Sequence, residues 1–102
     1  MGTSPTISVL LPVYNGGAFL AHSIQCILDQ TFTDFEFIII DDGSTDGSNA
    51  VIRSFADPRI NLITQANAGL AATLNRGLHL ARGHWIARQD QDDISLSDRF
   101  AK

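Results

Sequence analysis

Three carboxylates stand within four residues at Asp90-Gln91-Asp92-Asp93. Ionised acids this close repel one another unless a positive charge sits among them. Hard oxygen ligands with open positions suit Mg²⁺ or Mn²⁺, which keep some waters and bridge to phosphate oxygens. Asp90, Asp92 and Asp93 are therefore candidate metal ligands. The same residues also suit an acidic turn ahead of a helix that begins near Ser97, and the Asp-x-Asp tripeptide alone does not separate the two.

A second acidic group, Asp41-Asp42-Gly43-Ser44, follows a run of apolar residues. An ionised carboxylate only accepts hydrogen bonds. It would take the N3–H of a uracil or thymine ring, or a ribose hydroxyl, and would reject cytosine, which has no N3–H. Asp42 is the better ligand candidate, and Asp46 reads as the cap of the following helix. Tyr14 would stack on a base or close over the first helix. Gly16-Gly17 would let backbone approach a ligand, yet neither a Gly-x-Gly-x-x-Gly fingerprint nor a phosphate loop with its lysine is present. His22, His79 and His84 show no metal-ligand spacing. Trp85 reads as core and Cys26 as a small buried hydrophobe.

Elements must bring these groups together. Strand signals fall at Ile7–Val13, Phe35–Ile40, Ile60–Thr64 and His84–Ala87. Runs apolar on both faces suit a parallel sheet covered on both sides. Between them, Leu20, Ile24, Ile27 and Leu28 mark one face of a helix. Val51, Ile52 and Phe55 belong to a second helix. Leu70, Leu74, Leu78 and Ala81 predict the buried stripe of a third, with Thr73, Arg76 and His79 on its other side, Asn67 as its cap and Gly83 at its end. The order β-α-β-α-β-α-β predicts an α/β fold with a four-stranded parallel sheet, ordered 3-2-1-4, and helices on both faces. Ligands in such sheets bind outside the carboxyl ends of the strands. The segments after strands one, two and four are the polar ones, so they are expected to share one pocket. Residues 1–6 read as a tail, and Ser95–Phe100 as a helix that has just begun, as in the front half of a larger domain.

Composition narrows the class. The 102 residues carry a net charge of −4 and a single lysine, Lys102, which excludes a basic nucleic-acid surface. The longest apolar run is Phe37–Ile40, too short to span a membrane. Met1–Pro5 has no positive charge before an apolar stretch, which reads against a signal peptide. The lone cysteine excludes an intrachain disulfide and fits a reducing compartment.

Taken in order, several segments resemble the family 2 glycosyltransferases. These are Ile7-Ser8-Val9-Leu10-Leu11-Pro12-Val13-Tyr14-Asn15, Gln30-Thr31-Phe32, Phe35-Glu36 and Asp41-Asp42-Gly43-Ser44-Thr45-Asp46. Asn67-Ala68-Gly69-Leu70, Asn75-Arg76-Gly77, Ala81-Arg82-Gly83 and Arg88-Gln89-Asp90-Gln91-Asp92-Asp93 complete the match, with the family's gaps. Each motif alone is weak, and the ordered set is specific.

The resemblance implies a GT-A fold. Residues 7–102 would be its Rossmann-like, nucleotide-sugar-binding half, with the acceptor half absent. It implies a nucleotide-diphosphate-sugar donor, a UDP-sugar with dTDP and GDP open, and transfer to an acceptor hydroxyl in polysaccharide or cell-envelope glycan synthesis. A glycan or a lipid-linked molecule would be the acceptor, and the place of action the cytoplasm or the inner face of the membrane. Carried over by residue, Pro12, Tyr14 and Asn15 would border base and ribose, and Asp42 would accept from the uracil-type ring with Asp41 beside it. Asn67, Asn75, Arg88 and Asp90 would line the donor site, and Asp90, Asp92 and Asp93 would hold Mn²⁺ or Mg²⁺.

One departure is in the third helix. Many members carry Ala-Arg-Asn where this chain has Thr73-Leu74-Asn75, so a basic donor contact would be absent or come from Arg76 or Arg88. No residue here matches the family's catalytic base. A non-catalytic nucleotide-binding or interaction module is the alternative reading. A haloacid-dehalogenase-type phosphotransferase fits less well, because its acidic motif normally ends the first core strand and its lysine is missing. An uncovered sheet edge would also invite self-association.

Overall fold

The computed structural model describes residues 5–29, 34–83 and 85–88. Strand β1 (Ile7–Val13) leads through a short 3-10 turn (Gly17–Phe19) into helix α1 (Leu20–Leu28). Then follow β2 (Phe35–Asp42), α2 (Ser48–Arg53), β3 (Ile60–Gln65), α3 (Leu70–Leu80) and β4 (Trp85–Arg88). The sheet order is β3-β2-β1-β4, with every pairing parallel, as expected from the alternation of elements. Val13 pairs with Asp41 and Asp42 with Gln65, so β1, β2 and β3 end together. Arg88 stands opposite Leu10 on the other side of β1.

Alternation along β1 and β2 divides the core into two layers. Val9, Leu11, Val13, Phe37 and Ile39 pack with Leu20, Ile24 and Ile27 of α1 and Ile52 of α2. Leu10, Ile38 and Ile40 form the opposite layer with Ala81. β2 is buried at all eight positions, as its near-continuous apolar run requires of a central strand.

Helix α3 turns its expected stripe inward only in part: Leu74 is half-buried and Ala81 packs on the core. Leu70 and Leu78 are more than half exposed, while Thr73 and Gly77 are the buried residues. A side chain at Gly77 would meet Leu10 at 3.3 Å. The helix therefore rests on its small residues, which allow close approach, and leaves its leucines on the flanks. Asn67 is not its cap, because Gly69 (φ +96°) holds that position. Gly83 is not its end either, because α3 stops at Leu80 and Ala81 is already extended. Gly83 is needed for contact, since a Cβ there would lie 2.6 Å from the Ser8 nitrogen.

Trp85 is 70% exposed rather than core. Among the described residues β4 is an edge strand, paired only with β1, so burial in the sheet centre does not reach it. Cys26 is half-buried.

At the amino-terminal end of the sheet sits a buried carboxylate, Glu36. It accepts from Ser8 Oγ at 2.5 Å and from the Arg82 N–H at 2.6 Å, with Arg82 Nε at 3.1 Å. Gly83 N–H donates to Ser8 Oγ at 2.7 Å. Burial opposes the charge on Glu36, but these donors outweigh it and hold the carboxyl below its ordinary range. The cluster fastens the α3–β4 connection to β1 and β2, and so sets where β4 begins.

Candidate functional site

The carboxyl ends of β1 and β2 carry two loops that grip each other. Asn15 takes a left-handed conformation (φ +50°), which aims its groups at the β2 loop. Its N–H donates to Ser44 Oγ at 2.9 Å, and its Oδ1 accepts from the Thr45 N–H at 2.8 Å. Gly16 N–H donates to Ser48 Oγ and Gly17 N–H to Asp46 Oδ2. Asp46 Oδ1 also accepts from the Ser48 N–H at 3.0 Å. Asp46 thus serves the start of α2 as expected, but from the residue before Gly47, which occupies the cap position with φ +91°. The hydroxyl and N–H donors around Asp46, led by Ser48 Oγ, keep its carboxyl below the ordinary range.

Asp41 and Asp42 are adjacent on a strand and point to opposite faces. Asp41 turns toward α2, where its Oδ1 accepts from the Ser44 N–H and its Oδ2 from Asn49 Nδ2 at 2.9 Å. Asn49 also donates to Thr64 Oγ1 and accepts from Arg53.

Asp42 turns toward α3. Its Oδ1 accepts from Gln65 Nε2 at 2.9 Å and the Ala68 N–H at 2.7 Å. Its Oδ2 accepts from the Gly69 N–H at 3.0 Å and Asn67 Nδ2 at 3.3 Å. A carboxylate has about four acceptor positions, and these donors fill them. Burial works against the charge, but the donors of Gln65, Ala68 and Gly69 more than offset it and hold the carboxyl below its usual range. Gly43 permits this arrangement. It has φ +80°, and a Cβ there would lie 2.8 Å from the Asn67 nitrogen.

The structure therefore brings together Pro12, Tyr14, Asn15, Asp41, Asp42 and Asn67 at one end of the sheet. Tyr14 is half exposed there and Pro12 half-buried. Asn75 is exposed on α3, with its carbonyl 3.1 Å from His79 Nδ1. Arg88 is the last residue of β4. Asp90, Asp92 and Asp93 lie outside the described residues, and so does the expected helix near Ser97. Among the described residues no group of three or more acids, histidines or cysteines could hold a metal.

Gln65 and Thr73 escaped the sequence reading. Ending the third strand at Thr64 left Gln65 outside the polar strand ends, and placing Thr73 on the outer side of α3 hid its hydroxyl. Thr73 Oγ1 donates to the Gly69 carbonyl at 2.8 Å and accepts from Gln65 Nε2 at 3.1 Å. The available signal was register, because Gln65 extends β3 to the level of Asp42.

The chain is similar in sequence and fold to known proteins. EpsE of Bacillus subtilis (strain 168) is 42% identical over 106 residues, covering 100% of this chain and 38% of EpsE. The chondroitin synthase of Escherichia coli is 36% identical, covering 92% of this chain and 14% of the synthase. Among solved structures, the mannosyltransferase PcManGT from Pyrobaculum calidifontis, in complex with GDP-Man and Mn²⁺, superposes with a TM-score of 0.82 and 26% identity. That match covers 90% of this chain and 29% of PcManGT. Residues 1–349 of S. aureus TarS in complex with UDP-GlcNAc give a TM-score of 0.80 and 26% identity, covering 90% of this chain and 28% of that one. The chain thus spans less than two-fifths of the length of each of these relatives. The fold is that of the GT-A neighbours. Residues 8–102 match the pattern described as Glycosyl transferase family 2, and this chain belongs to that family.

Proposed function

We propose that the chain binds a nucleotide-diphosphate-sugar, a UDP-sugar, and forms the donor-binding part of an enzyme that transfers the sugar to an acceptor hydroxyl during polysaccharide or cell-envelope glycan synthesis. The observation that carries this reading is the buried, ionised Asp42 at the carboxyl end of the sheet, beside an exposed aromatic ring and two interlocked loops. Membership of the family, and neighbours solved with UDP-GlcNAc and with GDP-Man and Mn²⁺, support the ligand class.

The base would reach Asp42 at its weakest bond. Asn67 donates at 3.3 Å and is itself exposed, whereas Ala68 and Gly69 donate at 2.7 and 3.0 Å through backbone. An imide N–H takes the place of the Asn67 amide at little cost, since one donor replaces another. Tyr14 and Pro12 then flank the base and ribose, and Asn15 fixes the loop on which Tyr14 stands. Asp41 braces that loop from the opposite face through Ser44 and Asn49. Asn75 and Arg88 border the sugar-diphosphate.

A divalent ion, Mn²⁺ or Mg²⁺, would be held by Asp90, Asp92 and Asp93, whose close-set hard oxygen ligands suit such an ion, and the Mn²⁺ in the PcManGT complex supports this class of ion. Such an ion would supply charge neutralisation for the departing diphosphate. No described acid is assigned as the base that takes the acceptor's proton.

Calorimetry with UDP, GDP and CDP in the presence of Mn²⁺ tests the reading. UDP is expected to bind and CDP to bind at least about tenfold more weakly, the value of one charge-assisted hydrogen bond. Equal affinity for CDP removes the carboxylate-to-imide contact. Failure of every nucleotide diphosphate to bind removes the donor-site reading.

A further inference from the structure

An amide side chain has one donor side and one acceptor side. Arg76 Nη1 donates to Gln65 Oε1 at 2.7 Å, so the Gln65 NH₂ group faces away from the guanidinium. There Nε2 meets Asp42 Oδ1 at 2.9 Å and Thr73 Oγ1 at 3.1 Å. The other strong donors to Asp42, the Ala68 and Gly69 N–H groups, belong to the loop before α3. Gln65 is the one donor to this carboxylate that stands on a strand, and its position is set by the β2–β3 register.

We propose that Gln65 is a positioning residue for recognition of the nucleotide base: with its amide orientation set by Arg76, it holds the Asp42 carboxylate in the direction from which the base imide is met. This inference rests on the donor-site reading above. Gln65 acts through Asp42 and does not itself touch the base.

Among the described residues the charged groups around Asp42 are few. On its own strand Asp41 projects to the opposite face. At this end β1 offers Pro12 and Val13, and β3 offers Thr64 and Gln65, all uncharged. α3 offers Arg76 through Gln65, with His79 a turn further along at the Asn75 carbonyl. A carboxylate in place of the Gln65 amide would therefore face Asp42 with only Arg76 to compensate. Two carboxylates at hydrogen-bond distance share one proton and lose it at raised pH.

The test measures UDP affinity in the presence of Mn²⁺ for the full chain from about pH 5 to about pH 8. Each variant is expressed as a ratio to the parent at the same pH, which cancels titration of the ligand. Gln65→Glu is expected to approach the parent at the acid end, where the shared proton again gives Asp42 a donor. It is expected to weaken by about tenfold toward the alkaline end. Arg76→Met, which frees the amide to flip, is expected to lose a few-fold with a flat ratio, and Arg76→Lys to restore it. A pH-independent loss in Gln65→Glu, the mark of a packing role, overturns the proposal, and so does a parent-like profile. Should Gln65→Glu not fold, parent affinity in Arg76→Met overturns it. A parent that binds no UDP at any pH overturns the donor-site reading and this inference with it, whereas a parent that binds beside unmoved variants overturns this inference alone.

Discussion

Replacing Asp42 with asparagine changes one atom and tests the hub at the end of the sheet. The carboxylate accepts two N–H groups on each oxygen. An amide offers an acceptor on one side only, and its NH₂ group must confront two donors on the other. The cheaper orientation turns NH₂ toward Asn67, whose amide keeps its bond to the Asp42 carbonyl at 3.1 Å, and toward the Gly69 N–H, which has no such alternative. The Gly69 bond is then lost, and the two bonds on the retained oxygen fall from charged to neutral strength. Hydrogen bonds to charged groups contribute about 1.5 to 3 kcal/mol and neutral ones about 1, so at the lower end of these ranges the lost bond and the two weakened ones together cost about 3 kcal/mol. For a domain of this size that corresponds to a fall in Tm of about 12 to 24 °C. The pH dependence has a definite sign. The folded-state pKa of Asp42 lies below the unfolded value near 3.8, so its stabilisation is present above that value and is lost as pH falls through the folded pKa. Urea unfolding should show the full gap between parent and Asp42→Asn at neutral pH and convergence of the two in acid. A gap under about 0.5 kcal/mol at neutral pH, or one that persists unchanged in acid, would refute the assignment of Asp42 as a satisfied buried anion.

Other consequences can be measured on the same chain. Gly43→Ala combines φ +80° with a Cβ 2.8 Å from the Asn67 nitrogen, and should lower stability by about 1 to 3 kcal/mol in a thermal melt; an unchanged Tm would mean that the two loops are not in contact. Asp92→Asn should abolish the Mn²⁺ requirement of UDP binding in calorimetry while leaving the urea midpoint in place, since removing a repelling charge does not destabilise an empty site; retained metal dependence would assign the ligand role elsewhere. Trp85 and Ile86 are exposed on β4, so size-exclusion chromatography with light scattering should show self-association that rises with concentration and falls in Trp85→Ser. A clean monomer at high concentration would contradict that.

Sheet order and the burial of α1 were legible in the sequence because each rests on one dominant signal. β2 is apolar on both faces, which places it inside the sheet, and Leu20, Ile24 and Ile27 repeat at helical spacing over Val9, Leu11 and Val13. α3 was misread because two stripes compete on it. The leucines are the larger residues, but Thr73 and Gly77 let the helix sit close to Leu10 and Ile40 and bring a hydroxyl to Gln65. Periodicity ranks residues by hydropathy and does not register closeness of approach. Trp85 was misread for a related reason, since a strand pattern carries no information on whether a neighbour lies beyond it. At the candidate site, the polar strand ends were visible and their partners were not. Asn67 looked like a helix cap because a short amide before a helix usually is one, yet the Asp42 carboxylate draws it away.

The family-like motifs divide between the two ends of the sheet, and the division separates support from recognition. Glu36 and the Ala81-Arg82-Gly83 segment meet one another at the amino-terminal end, where Ser8 completes the contact. Ligands in open α/β sheets bind at the opposite, carboxyl ends of the strands. These residues fix the offset of β4 against β1, and through it the point from which the chain runs on toward Asp90. At the carboxyl end, Asn15, Ser44 and Asp46 lock the first two loops, and Asp42 gathers Gln65 from β3 and Asn67, Ala68 and Gly69 from the third loop. Both ends use a buried carboxylate held ionised by chain donors, but their surroundings differ. Around Glu36 the donors include a guanidinium at 3.1 Å, which pairs its charge. Among the described residues Asp42 is met only by neutral donors, so its negative charge is distributed over N–H groups without being cancelled. A carboxylate in that state is suited to exchange one neutral donor for another, which is the chemistry that an imide N–H brings in place of the Asn67 amide.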